Sequence, residues 1–102
     1  MNIITQTFLE ILKDMDGEYH FTPLIKCRDK EDACRLAWHA HQRFLEKDEN
    51  AGFKDEDALN SEEGDFINDI SQFDVVVTMS GDGNRRVVYR IVTLELRVDV
   101  TC

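Results

Sequence analysis

Histidines and cysteines are the residues in this chain with the most chemical potential, and their spacing limits what they can do. His39 and His41 stand two apart in a helical stretch, about 200° around the axis. They cannot form the paired ligands that an i, i+4 spacing supplies. Cys27 and Cys34 lie seven apart and Cys102 lies far from both, so no close cysteine pair has the spacing of a zinc site. His20, His41, Cys27 and Cys34 would need the fold to bring them together. The odd cysteine count and the good apolar complement point to reduced thiols rather than a disulfide framework, with Cys102 open to cross-linking under oxidation. The run Asp55-Glu56-Asp57 hints at a calcium loop. Counted from Asp55, however, the sixth position is Asn60, where such a loop needs glycine, and counting from Asp48 places no ligand set either. Ser80-Gly81-Asp82-Gly83-Asn84 lacks the lysine and the glycine-rich lead of a phosphate loop and reads as a hairpin turn. No serine elbow and no cysteine–histidine pair is present. The sequence therefore predicts no catalytic residue, no metal ligand and no cofactor, and a chain that is not an enzyme.

Charge gives a more specific signal. The chain has 102 residues and a formal net charge of −9. Residues 46–74 hold eleven acids and two bases, while the rest of the chain holds ten of each. The whole imbalance thus sits in one segment. Asp48, Glu49, Asp55, Glu56, Asp57, Glu62, Glu63 and Asp65 are the candidate partner-binding residues. An array of carboxylates suits a basic protein surface, including that of a nucleic-acid-binding enzyme, and can imitate a phosphate backbone. Direct binding to nucleic acid is disfavoured by the same charge. The opposing candidate is a cationic last strand, where Arg85, Arg86, Arg90 and Arg97 would meet phosphates and Tyr89 would stack a base.

The elements that must position these residues follow from periodicity. Ile4, Phe8, Ile11, Leu12 and Met15 recur at three and four, which predicts a helix over residues 2–15 with Gly17 as its stop. Residues 18–28 alternate as a strand, with Tyr19, Phe21, Ile25 and Cys27 on one face, and Pro23 marks that strand as edge or bulged. Residues 30–47 predict the strongest helix, capped by Asp29. Its Ala33, Ala37, Trp38, His41 and Phe44 are expected against a sheet face bearing Leu94, Leu96 and Val98. Residues 50–60 read as a loop. A short helix to about Ser71 follows, with Phe66, Ile67, Ile70 and Phe73 anchoring the acidic segment. Residues 74–80 and about 85–100 read as two strands joined at Asp82-Gly83. Val87, Tyr89 and Ile91 fall on the face opposite Val92, Leu94, Leu96, Val98 and Val100, which calls for a bulge or kink near residues 90–92, or for a strand covered on both sides.

The expectation is an α+β fold: a three- to four-stranded, mainly antiparallel sheet with two longer helices and one short helix on one face, in a single domain over residues 1–102. No apolar run is long enough to span a membrane and the first residues do not have the pattern of a signal peptide, so a cytoplasmic protein is expected. In size, acidity and layout the chain resembles the small phage-encoded inhibitors of host nucleic-acid enzymes, restriction systems and CRISPR effectors. That resemblance implies an inhibitor or adaptor acting in a host cytoplasm by nucleic-acid mimicry. It carries no motif and assigns no residue. The alternative is a structural or oligomerisation module without mimicry. The long last strand, with an edge that can pair with a second copy, also predicts a homodimer.

Overall fold

The computed structural model describes residues 2–98. Five strands and three helices occur in the order β1 (Asn2–Met15), β2 (Glu18–Phe21), β3 (Ile25–Cys27), α1 (Lys30–Leu45), a 3₁₀ segment (Asp48–Lys54), α2 (Glu63–Phe73), β4 (Val75–Met79) and β5 (Arg85–Val98). The fold is α+β, with a mainly antiparallel sheet and the helices packed on one face. Strand order is β2-β1-β5-β4, with β3 also paired to β1. Val100 and Cys102, named above, lie outside the described residues.

The first element is a strand, not a helix. Asn2–Met15 pairs antiparallel with β5 along its whole length, from Asn2 opposite Val98 to Met15 opposite Arg85. Ile3, Ile4, Thr5, Thr7 and Ile11 are β-branched and favour extended backbone. The helical spacing arose because both faces of this strand carry apolar side chains. Gly17 is likewise not a helix stop. Asp16 (φ 56°) and Gly17 (φ 90°) form the two-residue turn of the β1–β2 hairpin, for which positive φ at both positions is the requirement.

Pro23 marks a bulge at the sheet edge, as the sequence implies. Leu12 pairs with Phe21 and Leu9 with Ile25, so two residues on β1 face three on the partner strand. The extra residue switches faces: Tyr19 and Phe21 lie on one side of the sheet, Ile25 and Cys27 on the other.

No bulge interrupts β5, because its pairing with β1 is continuous. The core face is therefore set by Leu9 and Ile11 of β1, Val87, Tyr89 and Ile91 of β5, and Val76 and Thr78 of β4. Helix α1 lays Ala33, Cys34, Ala37, His41 and Phe44 against this face, and α2 adds Phe66 and Ile70. The expectation that α1 covers Leu94, Leu96 and Val98 is overturned: these residues are on the opposite side of the sheet and exposed. Trp38 is half-buried, its ring 5.1 Å from that of Phe66. Asp29 caps α1 as expected, its Oδ1 accepting from the Asp32 amide at 2.8 Å. Asp32 in turn accepts from the Arg28 amide.

Candidate interaction surfaces

The acidic segment is ordered onto the helix layer. Phe53 is buried and stacks edge-on to Phe44 at 4.7 Å. Asn50, also buried, donates from its side-chain amide to the Phe44 carbonyl. The Gly81 amide donates to the Gly52 carbonyl at 2.9 Å. A Cβ at Gly81 would approach the Asp55 side chain to 3.0 Å, so a side chain at this position would crowd Asp55. The first part of the expected loop, up to Lys54, is thus a 3₁₀ turn, and it is pinned to the β4–β5 hairpin. The following helix spans Glu63–Phe73, and its Phe66 and Ile70 are fully buried while Phe73 is exposed. Asp48, Glu49, Asp55, Glu56, Asp57, Glu62, Glu63 and Asp65 are all exposed, and none forms an ion pair among the described residues.

The arginines do not form one stripe. Arg86 pairs with Asp14 at 2.9 Å and Arg90 with Glu10 at 3.2 Å, both across the β1–β5 ladder. Arg85 lies on the other face, donates to the Glu49 carbonyl and sits over the Phe53 ring. Tyr89 is buried, its hydroxyl 3.0 Å from His41 Nδ1, so it offers no stacking platform in this state. Arg97 stands far out near the end of β5.

The titratable core is small. Desolvation drops the His41 pKa to about 4 and pushes the Tyr89 hydroxyl well above the usual phenol range. Burial raises both Cys27 and Cys34, which favours the thiol over the reactive thiolate. In the hairpin turn, the Ser80 hydroxyl donates to Asp82 at 2.6 Å and lowers its pKa. Among the described residues no group of three histidine, cysteine or acidic side chains is placed to hold a metal, and no helix is long and apolar enough to cross a membrane.

What sequence reasoning missed is the side of the sheet that no helix covers. Pairing places Ile4, Phe8 and Leu12 of β1, Phe21 and Tyr19 of β2, Val75, Val77 and Met79 of β4, and Val88, Val92, Leu94, Leu96 and Val98 of β5 on this one face. Ile4, Tyr19, Phe21, Leu94, Leu96 and Val98 are each 40–69 % exposed. Beyond the pairing with β3 and β4, the outer halves of β1 and β5 continue as a two-stranded arm, and the molecule measures 59 × 28 × 20 Å. The signal was present in the sequence as apolar residues at successive positions of both long strands. Apolar residues on both faces of a strand are the pattern of sheets covered on both sides.

The chain matches no protein-family model, no curated protein and no solved structure. What it does must be read from its own geometry.

Proposed function

We propose that the chain is a self-associating structural module whose helix-free sheet face and β1–β5 arm pack against a second copy. The observation that carries this is the largely apolar face of a sheet with helices on one side only, on which the exposed Ile4, Leu94, Leu96 and Val98 of the arm and Tyr19 and Phe21 of β2 flank the Glu10–Arg90 and Asp14–Arg86 pairs. Single exposed apolar residues need no explanation, but a continuous patch of large ones marks an interface. The patch also suits a like partner in charge. Its ionic groups are Glu10 and Asp14 against Lys26, Arg86 and Arg90, and four of these five are already paired within the chain. Two copies of a protein with charge −9 repel each other, so a contact between them is best made where the acids are not. The acidic segment rides on the helix layer, on the other side of the sheet. A two-stranded arm is only marginally stable in water by itself, and it gains a second layer in the same event.

The test is sedimentation of the wild type and of Phe21→Asp and Leu94→Asp across a concentration series. The wild type is expected to give a dimer mass at micromolar concentration. Each variant should be monomeric with an unchanged far-ultraviolet circular dichroism spectrum. A constant monomer mass for the wild type at high micromolar concentration overturns the proposal.

A second reading rests on the eight exposed, unpaired carboxylates. In a dimer joined through the open faces, both acidic segments point outward, where they can engage a basic protein such as a nucleic-acid enzyme. Low-salt capture of such a partner, lost on reversing Asp55, Glu56 and Asp57 to lysine, supports that role. Undiminished capture removes it.

A further inference from the structure

We infer that the outer half of β5 is an edge-pairing site for the same segment of a second copy, antiparallel about a two-fold axis at Leu96. The backbone supplies the first part of the argument. The Arg85 carbonyl accepts from the Ser80 amide at 2.9 Å, and the Ile91 amide donates to the Asp74 carbonyl at 2.7 Å. Backbone groups alternate sides along a strand, so the odd-numbered residues of β5 direct theirs towards the β4 side. β4 begins at Val75, opposite Arg90. Beyond it, the amides and carbonyls of Thr93, Glu95 and Arg97 have no partner on that side among the described residues. Elsewhere the sheet edges are covered or short. Leu59 and Met79 exchange both backbone bonds along the outside of β4, and the Asn60 side-chain amide donates to the Val77 carbonyl. β2 and β3 have four and three residues, with Pro23 between them. The outer end of β1 is open as well, but residues 2–6 carry no charge and set no register.

Charge selects both the occupant and the register. Arg86 and Arg90 each have an acid directly opposite on β1, Asp14 and Glu10, and pair with it. Glu95 and Arg97 face Thr5 and Ile3 instead, and neither forms an ion pair among the described residues. They stand two apart on one face of the strand, with opposite signs. About an axis at Leu96, Glu95 of each copy lies directly opposite Arg97 of the other. Both residues also direct their backbone groups outward, so the same register joins main-chain hydrogen bonds to cross-strand ion pairs. On the other face Leu96 meets its own mate and Leu94 meets Val98, side chains that are 40–53 % exposed in the single chain. An axis at Glu95 or at Arg97 would set like charges opposite each other. An axis at Leu94 would set Arg97 against Ile91, whose amide is already bonded. Edge charges of one sign keep a second copy away, whereas this pair is complementary to itself.

The axis stands perpendicular to the sheet. The two copies therefore lie side by side, with their helix-free faces still uncovered. Edge pairing is thus separate from the face packing proposed above. It is the smaller contact, too small to hold a dimer at micromolar concentration by itself, and it joins face-packed dimers at higher concentration.

The test is disulfide trapping in a Cys102→Ser background. Leu96→Cys places two thiols across the axis in a non-hydrogen-bonded pair, about 4.5 Å apart between Cα atoms, where a disulfide needs about 4.4–6.8 Å. Mild oxidation is expected to give a covalent dimer. Leu94→Cys is similarly exposed but about 14 Å from its own mate in this register, and it should give little. Adding Glu95→Arg or Arg97→Glu to Leu96→Cys should reduce the trapped dimer about tenfold, because both ion pairs become like-charge pairs. Combining the two reversals should restore it. The trapped dimer should also persist with Phe21→Asp, which removes only the face contact, so failure of one contact is distinguished from failure of the other. Equal trapping at Leu94 and Leu96 overturns the proposal, as does indifference to the single reversals or no recovery in the double one. Loss of trapping with Phe21→Asp would assign the Leu96 contact to face packing and overturns it too.

Discussion

His41 is the residue at which packing and titration meet. Its ring is fully buried, nearly parallel to Phe66 at 5.2 Å and edge-on to Tyr89 at 5.5 Å. Nδ1 shares a hydrogen bond with the Tyr89 hydroxyl, and Nε2 has no partner among the described residues. An imidazole in such a place stays neutral, because a charged ring would be stripped of water without compensation. In the unfolded chain it takes a proton near its ordinary pKa of 6.5, and in the folded chain only near 4. Between those values the unfolded state holds the additional proton. Stability from this group is therefore complete above about pH 6.5 and is lost as the pH falls towards 4, with an upper bound of about 3 kcal/mol. The paired replacement His41→Phe with Tyr89→Phe removes the titrating ring and both hydrogen-bonding partners at similar volume. Urea unfolding at neutral pH and at about pH 4.5 should show a smaller acid loss in the double variant than in the wild type. Equal losses would mean that the acid sensitivity belongs to other groups.

At the scale of elements, local signals decide some boundaries and tertiary pairing decides others. The cap of α1 belongs to the first kind. Asp29 stands in extended backbone with its carboxylate on the Asp32 amide, and an N-cap carboxylate removed to alanine costs about 0.5–2 kcal/mol. Asp29→Ala should lower the thermal midpoint accordingly, while Asp29→Asn, which keeps the acceptor, should stay close to wild type. Equal effects of the two would place the stabilisation in charge rather than in the cap. This helix, the β4–β5 hairpin and the Pro23 edge were legible because each carries its own chemistry: a capping acid, an Asp-Gly turn, a missing amide. The first strand was not. With Ile4, Phe8, Ile11, Leu12 and Met15 divided between the two faces of the sheet, a period of two is hidden and a helical period appears in its place. Asp16-Gly17 carried the same turn signal as Asp82-Gly83, yet next to an apparent helix it read as a stop. The same two-sided pattern hid the interaction surface, since Leu94, Leu96 and Val98 look like core until the β1–β5 register is known.

For the molecule as a whole, shape and charge argue for a separation of roles between the two sides of the sheet. A compact chain of this length has a radius of gyration of about 13 Å; here it is 15.8 Å, because the β1–β5 arm extends past the helix layer. An apolar sheet face on one side and an array of exposed carboxylates on the other respond to salt in opposite directions. Self-association through the sheet brings two charges of −9 together, so screening should favour it, and apolar burial is itself insensitive to moderate salt. Capture of a basic partner by Asp55, Glu56, Asp57 and their neighbours should instead weaken as salt rises, because its attraction is the term being screened. Sedimentation of the protein alone, repeated at low and at moderate ionic strength, should therefore show a tighter dimer in the higher salt. If added salt dissociates the dimer, the contact is held by charge, and its location must be sought in a pairing of the acidic segment of one copy with exposed cations of the other rather than in the open face of the sheet.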